Sequence, residues 1–149
     1  MQKRSATIWL TGCNSAGRSI IGNCLENELR LQGYPVKLLD ETEVLQDLVG
    51  ELGLTEIDRN ENLRRISFIA DLLTQNGVFV IISAASPSHV VRDETRQRLG
   101  KVIEVCISTP MNDCEHRDDE LYEPPRHPDV ECRTDRESVA ESADKVLAN

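Results

Sequence analysis

The sequence predicts a three-layer α/β domain, with a parallel β-sheet of about five strands between two layers of helices. Strand-like apolar runs alternate with helix-like segments along the chain, and such alternation is typical of parallel sheets joined by right-handed crossovers. The run Val78–Ile82 is wholly apolar, as expected for a strand that is covered on both faces. A glycine-containing segment, Gly12–Ser19, joins the first strand to the first helix.

Each predicted element rests on periodicity, with glycine and proline marking the boundaries. We expect strands over residues 6–11, 36–39, 78–82, 102–108 and 130–132. We expect helices over residues 17–32, 42–51, 58–76, 87–98, 111–117 and 137–148, and a loop over residues 118–129. Gly33 is placed to end the first helix. The inward positions are predicted to be Leu63, Ile66, Ile69, Ala70 and Leu73 in helix 58–76, and Val139, Ala143, Val146 and Leu147 in the last helix.

Length and charge narrow the range of functions. The chain has 149 residues, 39% of them hydrophobic, which predicts a single domain over residues 1–149 with a core of its own. The net charge of −9 argues against partners such as nucleic acid or an anionic membrane. Five cysteines and no signal-peptide pattern predict a cytoplasmic protein with reduced thiols. The sequence leaves open a homodimer or a larger protein partner.

The segment after the first strand matches the phosphate-binding pattern G-x-x-x-x-G-K-[ST], except that Arg18 replaces the lysine. In such a loop the backbone N–H groups and the helix dipole bind phosphate oxygens. The predicted phosphate-binding residues are Gly12, Asn14, Ser15, Ala16, Gly17, Arg18 and Ser19. The Ser19 hydroxyl is placed to ligate Mg²⁺. A planar guanidinium does not replace a compact ammonium, so phosphate binding is expected to survive better than phosphoryl transfer.

The run Asp58–Arg65 has two interpretations. Asp58 as an N-cap, with Glu61 three residues later, fits a capped and solvated helix start. Alternatively, Arg59 and Asn62 lie three apart on one helical face and form a clamp for a phosphate or phosphosulfate group.

Together these residues resemble the adenylylsulfate kinase family, whose members phosphorylate the 3′-hydroxyl of adenosine 5′-phosphosulfate (APS) with ATP. The matching segments are Ile8–Ser19, Leu52–Leu54 with Asp58–Arg65, Ser83–Pro87, Arg92, Thr109–Pro110, Cys114–Glu115 and Arg117–Asp118. They span roughly residues 6–120. The run Asp58–Arg65 is more specific to this family than the loop is.

The resemblance implies a P-loop NTPase fold and a set of roles. Residues 12–19 would hold the ATP phosphates, Ser19 would bind Mg²⁺ that accompanies ATP, and Arg59, Asn62 and Ser86 would bind APS. Arg18 and Ser19 are the catalytic candidates. Asp40 is a weaker candidate, since Asp40 and Glu43 are the carboxylates that could substitute for a missing base.

Three departures from the family accompany Arg18. The position of the expected catalytic base is Thr42, which takes no proton at neutral pH. An arginine that contacts substrate in the family is Leu45 here. A lid of about twenty residues, which would exclude water from the site, is missing where Leu121-Tyr122 runs directly into Glu123-Pro124-Pro125.

Three functional hypotheses follow. In the first, the chain is an APS kinase-like protein with a possible regulatory role and weak or no kinase activity. It would bind ATP or ADP, APS or its 3′-phosphorylated product (PAPS). In the alternative it is an active adenylylsulfate kinase, a transferase of sulfate assimilation. In the third, it is a scaffold whose loop binds only stray phosphate or sulfate. A zinc site built from Cys114, His116, His127 and Cys132 is disfavoured because their spacing matches no tight ligand pattern. Surface histidines and half-buried cysteines are expected instead.

Overall fold

The structure is a computed structural model that describes residues 5–12, 15–40, 56–84, 89–108, 128–133 and 136–148. Within helices it leaves the side chains of residues 15–16, 56–59, 62 and 89–92 undescribed. The described elements, in chain order, are β1 (Thr7–Thr11), α1 (Ser15–Leu31), β2 (Val36–Asp40), α2 (Glu56–Gln75), β3 (Phe79–Ser83), α3 (His89–Leu99), β4 (Val102–Ser108), β5 (Val130–Arg133) and α4 (Val139–Leu147). The helices expected over residues 42–51 and 111–117 lie outside the described residues.

The five strands form one parallel sheet in the order β2-β3-β1-β4-β5. The chain leaves β1 toward β2 on one side, and leaves the neighbouring strand β4 toward β5 on the other. Such a reversal between adjacent strands opens a crevice at their carboxyl ends, where α/β proteins bind ligands. The segment after β1 therefore starts at this crevice, and the predicted fold class is confirmed.

Two apolar layers cover the sheet. On one face α1 and α4 pack on side chains of β1 and the neighbouring strands, in a cluster that includes Leu10, Ile21, Leu25 and Val146. On the other face α2 and α3 pack on a second cluster that includes Trp9, Leu63, Ile66 and Leu99. Leu10 and Trp9 are adjacent in β1 and lie in different clusters, because side chains alternate along a strand. Val80, Ile81 and Ile82 are all fully buried, which confirms the two-sided burial predicted for β3.

Each described helix ends within one residue of its predicted end but begins two residues away from its predicted start. The helix expected from residue 58 begins at Glu56, so the assignment of Asp58 as its N-cap is wrong; Asp58 lies inside the first turn. Acidic residue types are favourable there, because the positive end of the helix dipole attracts them. The last helix begins after the N-cap Ser138, which forms a capping box with Glu141.

The inward faces of α2 and α4 are mostly as predicted. Leu63, Ile66 and Ala70 of α2 are fully buried, with Ile69 and Leu73 packed partly against them. In α4, Ala143 and Val146 are buried, but Val139 is 39% exposed, so its inward assignment is wrong. Val139 is the first helical residue after the N-cap Ser138. No helix in the described part of the chain is long and apolar enough to span a membrane.

Candidate phosphate-binding site

The candidate site begins at Gly12, directly after β1. Gly12 has φ +156°, and a Cβ atom there would lie 2.6 Å from the carbonyl oxygen of Ile107 in β4. This separation is too short for a side chain, so the backbone passes β4 at a distance that only glycine allows. The start of the segment is thus fixed by its approach to the neighbouring strand.

The helix α1 begins at Ser15, so Gly17, Arg18 and Ser19 lie in its first turns. This arrangement of strand, short segment and helix N-terminus is the context that the phosphate-loop pattern requires. Cys13 and Asn14 lie outside the described residues, as do the side chains of Ser15 and Ala16.

The Arg18 side chain is buried, at 5% exposure, and its contacts include hydrogen bonds to two described residues. One guanidinium nitrogen, Nη1, donates a hydrogen bond to the carbonyl of Gly12. Nε donates a second hydrogen bond, 3.3 Å long, to the hydroxyl of Ser83 at the end of β3. The guanidinium therefore connects the carboxyl ends of two adjacent strands behind the loop.

Ser19 and Asp40 form the second contact at this edge of the sheet. The Ser19 hydroxyl donates to Asp40 Oδ2 at 3.4 Å, which places a carboxylate from the end of β2 beside the start of α1. Hydroxyl and carboxylate oxygens are ligands that Mg²⁺ accepts, and Mg²⁺ bound through one or two such groups completes its shell with water and phosphate. In the described ranges no cluster of three or more His, Cys, Asp or Glu side chains could hold a metal by itself. The pair fits a Mg²⁺ ion that arrives with a nucleotide.

The predicted clamp residues Arg59 and Asn62 fall one turn apart near the start of α2, as the spacing predicts, but their side chains are not described. Asn60 Oδ1 and Glu61 Oε2, from the same run, are buried without a hydrogen-bond partner among the described residues. Buried polar atoms normally have partners, so these two atoms point to a polar group or water at this position. Sequence reasoning left Asn60 without a role.

Other predicted features lie outside the described residues. They are Ser86, the departures Thr42 and Leu45, the segment around Leu121–Pro125, and Cys114, His116 and His127. Cys132 is fully buried in β5 rather than half-buried, and this burial raises the pKa of its thiol.

Sequence reasoning gave Ser83 no role of its own. The available signal was a hydroxyl residue placed directly after the apolar run Val78–Ile82. A polar residue at the carboxyl end of a buried strand is a candidate for the site that forms there.

A separate cleft of about 450 Å³ lies between α2 and α3, away from the loop. Its charged groups include an ion pair between Arg64 and Glu94 at 3.0 Å, and the buried hydroxyls of Ser67 and Thr95 are hydrogen-bonded to each other. These polar groups satisfy one another, so the cleft indicates no particular ligand chemistry.

The sheet order, the loop after the first strand and the adjoining helix N-terminus define an α/β protein of the P-loop class, which includes the P-loop kinases. Within that class, the chain belongs to the adenylylsulphate kinase family, since the sequence model of that family matches residues 4–142.

Individual relatives support the same family assignment. The adenylyl-sulfate kinase of Gloeothece citriformis is 43% identical, over 99% of this chain and 94% of that protein. That of Rippkaea orientalis is 42% identical, over 98% of this chain and 91% of that protein. The structure of the Mycobacterium tuberculosis APS kinase in complex with AMPPNP and APS has a TM-score of 0.89 and 31% identity, and the match covers 99% of this chain and 98% of that one.

The alignment with the Gloeothece protein also bears on the missing lid. It extends over 166 positions, whereas this chain has 149 residues, so at least 17 positions (166 minus 149) hold no residue of this chain. This difference agrees in size with the expected deletion.

Proposed function

We propose that the chain is an active adenylylsulfate kinase, which transfers the γ-phosphoryl group of ATP to the 3′-hydroxyl of APS in sulfate assimilation. The products are ADP and 3′-phosphorylated APS. The observation that carries this proposal is the near-full-length identity to proteins named adenylyl-sulfate kinase, 43% in one case. This identity favours the hypothesis of an active kinase over that of a binding protein with weak or no kinase activity.

We assign the roles from the loop pattern and from the family resemblance. The loop from Gly12 through Asn14–Ser19 binds the ATP phosphates, with backbone N–H groups at the start of α1 as donors. Ser19 binds the Mg²⁺ that accompanies ATP, and Asp40 lies within reach of the same ion. Arg59, Asn62 and Ser86 bind APS.

The departures from the family are compatible with turnover for a physical reason. The transition state of phosphoryl transfer is loose, so catalysis depends mainly on positioning and on stabilising charge. A base that removes the proton of the attacking hydroxyl contributes less than the phosphate clamp. With Thr42 in the expected base position, the Asp40 carboxylate at the end of β2 is the group we assign to accept this proton.

A second candidate function is nucleotide binding with weak or no turnover. One observation favours it: Arg18, which replaces the lysine of the loop pattern, contacts Gly12 and Ser83 and is 5% exposed. A guanidinium engaged by its own protein is less able to stabilise charge on a transferring phosphoryl group.

The purified chain incubated with ATP, Mg²⁺ and APS separates these functions. Formation of ADP and 3′-phosphorylated APS in equal amounts supports the kinase, and omission of APS or chelation of Mg²⁺ should abolish it. If nucleotides raise the melting temperature without product, binding alone is supported. If neither product nor stabilisation is found with ATP or APS in large excess, both candidate functions are wrong.

A further inference from the structure

We propose that Ser83 is a positioning residue that holds Arg18 in a resting position, and that ATP phosphates compete with Ser83 for the guanidinium. This inference rests on the proposed function, because it concerns the same phosphate site. It assigns a role to Ser83 and makes the resting state of the loop a determinant of ATP affinity.

The geometry of the contact supports a fixed resting position. Ser83 is the last residue of β3, and it is in register with Leu10 of β1 and Asp40 of β2. Its hydroxyl is buried at 2% exposure and accepts the hydrogen bond from Arg18 Nε. A second bond, to the Gly12 carbonyl, fixes the other side of the guanidinium. These two bonds hold the guanidinium between the end of β3 and the residue that follows β1.

The burial of Arg18 determines whether loss of the Ser83 contact would strengthen or weaken ATP binding. A side chain that binds ATP phosphates directly must be accessible to them before ATP arrives. Arg18, however, exposes only 5% of its surface. To contact an incoming phosphate, the guanidinium must give up at least part of its bonding to Ser83 or Gly12. Phosphate oxygens replace these acceptors well because bonds between charged groups are the stronger ones. Part of the binding free energy is nevertheless used for the exchange.

Removal of the Ser83 hydroxyl should therefore favour binding. In S83A the Nε group loses a neutral acceptor in a buried position, which raises the free energy of the resting state relative to the ATP-bound state. A neutral hydrogen bond of this kind corresponds to roughly a two- to tenfold change in affinity. We expect S83A to bind ATP more tightly by about that factor.

The test is a double-mutant cycle in ATP affinity, measured by calorimetry at fixed salt and Mg²⁺ with wild type, S83A, R18M and S83A/R18M. We expect S83A to tighten binding when Arg18 is present and to leave it unchanged in the R18M background. S67A is the matched control, because Ser67 is also buried and hydrogen-bonded (to Thr95) but lies between α2 and α3; we expect it to leave ATP affinity unchanged. Circular dichroism and urea unfolding verify that each variant is folded.

Two kinds of result overturn the inference. If S83A weakens ATP binding, or changes it equally with and without Arg18, then Ser83 does not hold Arg18 in competition with ATP. This outcome leaves the proposed kinase function intact, provided that the wild-type protein binds ATP and forms product. If folded wild type and all variants fail to bind ATP, the proposed function fails together with the inference.

Discussion

The hydroxyl of Ser19 lies 3.4 Å from Asp40 Oδ2 and donates a hydrogen bond to it. The contact joins the start of α1 to the end of β2, 21 residues apart in the chain. One hydroxyl and one carboxylate oxygen, both of the kind that Mg²⁺ accepts as ligands, therefore lie side by side. The importance of Asp40 for activity is therefore the first property to test.

We expect D40N to lower kcat/KM for APS phosphorylation by roughly 10²- to 10⁴-fold, because it removes the proposed proton acceptor. It should also raise the Mg²⁺ concentration needed for half-maximal rate, since an amide oxygen is a weaker ligand than a carboxylate. The matched control is D71N, the same change at a partly buried position in α2, which should leave both quantities unchanged. Unaltered kinetics in D40N would show that Asp40 has neither role.

The fold was predictable from the sequence because its signals are local. The apolar run Val78–Ile82 and the stripe Leu63, Ile66 and Ala70 identify a buried strand and an amphipathic helix without knowledge of their neighbours. The order of strands in the sheet was not predicted, since the apolar runs resemble one another and do not specify which strands pair.

The candidate site was predictable only in part. The loop could be located because the spacing of Gly12, Gly17 and Ser19 is itself the signal. The orientation of Arg18 could not, because it depends on Ser83, which is 65 residues away and meets Arg18 only through the pairing of β1 with β3.

We expect R18K to bind ATP more tightly and to raise kcat/KM for ATP by roughly tenfold, about 1.4 kcal/mol. A lysine ammonium is compact and cannot reproduce the two-point contact of the guanidinium with Gly12 and Ser83. The same loss should lower the free energy of unfolding of the nucleotide-free protein by about 1 kcal/mol. Steady-state kinetics and urea unfolding measure the two effects.

The control for this substitution is R30K, at an exposed position where Arg30 pairs with Glu26 at 3.2 Å. Exposed pairs of this kind contribute little, so R30K should resemble wild type in both measurements. Weaker ATP binding in R18K would contradict the expectation that the resting contacts of Arg18 with Gly12 and Ser83 limit ATP affinity.

We expect G12A to destabilise the fold and to abolish measurable ATP binding. The new Cβ would lie 2.6 Å from the Ile107 carbonyl oxygen, so the segment after β1 must move. Backbone strain of this order costs about 1–3 kcal/mol in the free energy of unfolding. Urea unfolding and calorimetric titration with ATP measure the two effects.

G33A provides the comparison, because Gly33 also has a positive φ, +88°, but nothing within 4 Å of an added Cβ. This variant should lose only about 1 kcal/mol, from the left-handed backbone conformation, and should keep its ATP affinity. Equal effects of G12A and G33A on ATP binding would contradict the role assigned to the close approach of Gly12 to β4.

The stability of the C-terminal part should depend on pH through Glu137. Its carboxylate accepts hydrogen bonds from Lys145 Nζ at 2.7 Å, from the Arg133 backbone N–H at 2.7 Å and from the Ser142 hydroxyl at 3.1 Å. The bond from Lys145, followed by that from Arg133, lowers the pKa of Glu137 below its ordinary value of 4.5. A carboxylate with a lowered pKa in the folded state stabilises the fold above its unfolded pKa, and this contribution is lost as the pH falls through the folded pKa.

We therefore expect E137Q to be less stable than wild type at pH 7 and to approach wild type below pH 4.5, where the wild-type carboxylate takes up a proton. Urea unfolding followed by circular dichroism at several pH values gives the difference directly. E26Q, which removes the carboxylate of an exposed i,i+4 pair with Arg30, should change stability by no more than about 0.5 kcal/mol at pH 7. A difference between E137Q and wild type that stays constant from pH 7 to pH 3 would rule out ionisation of Glu137 as its cause.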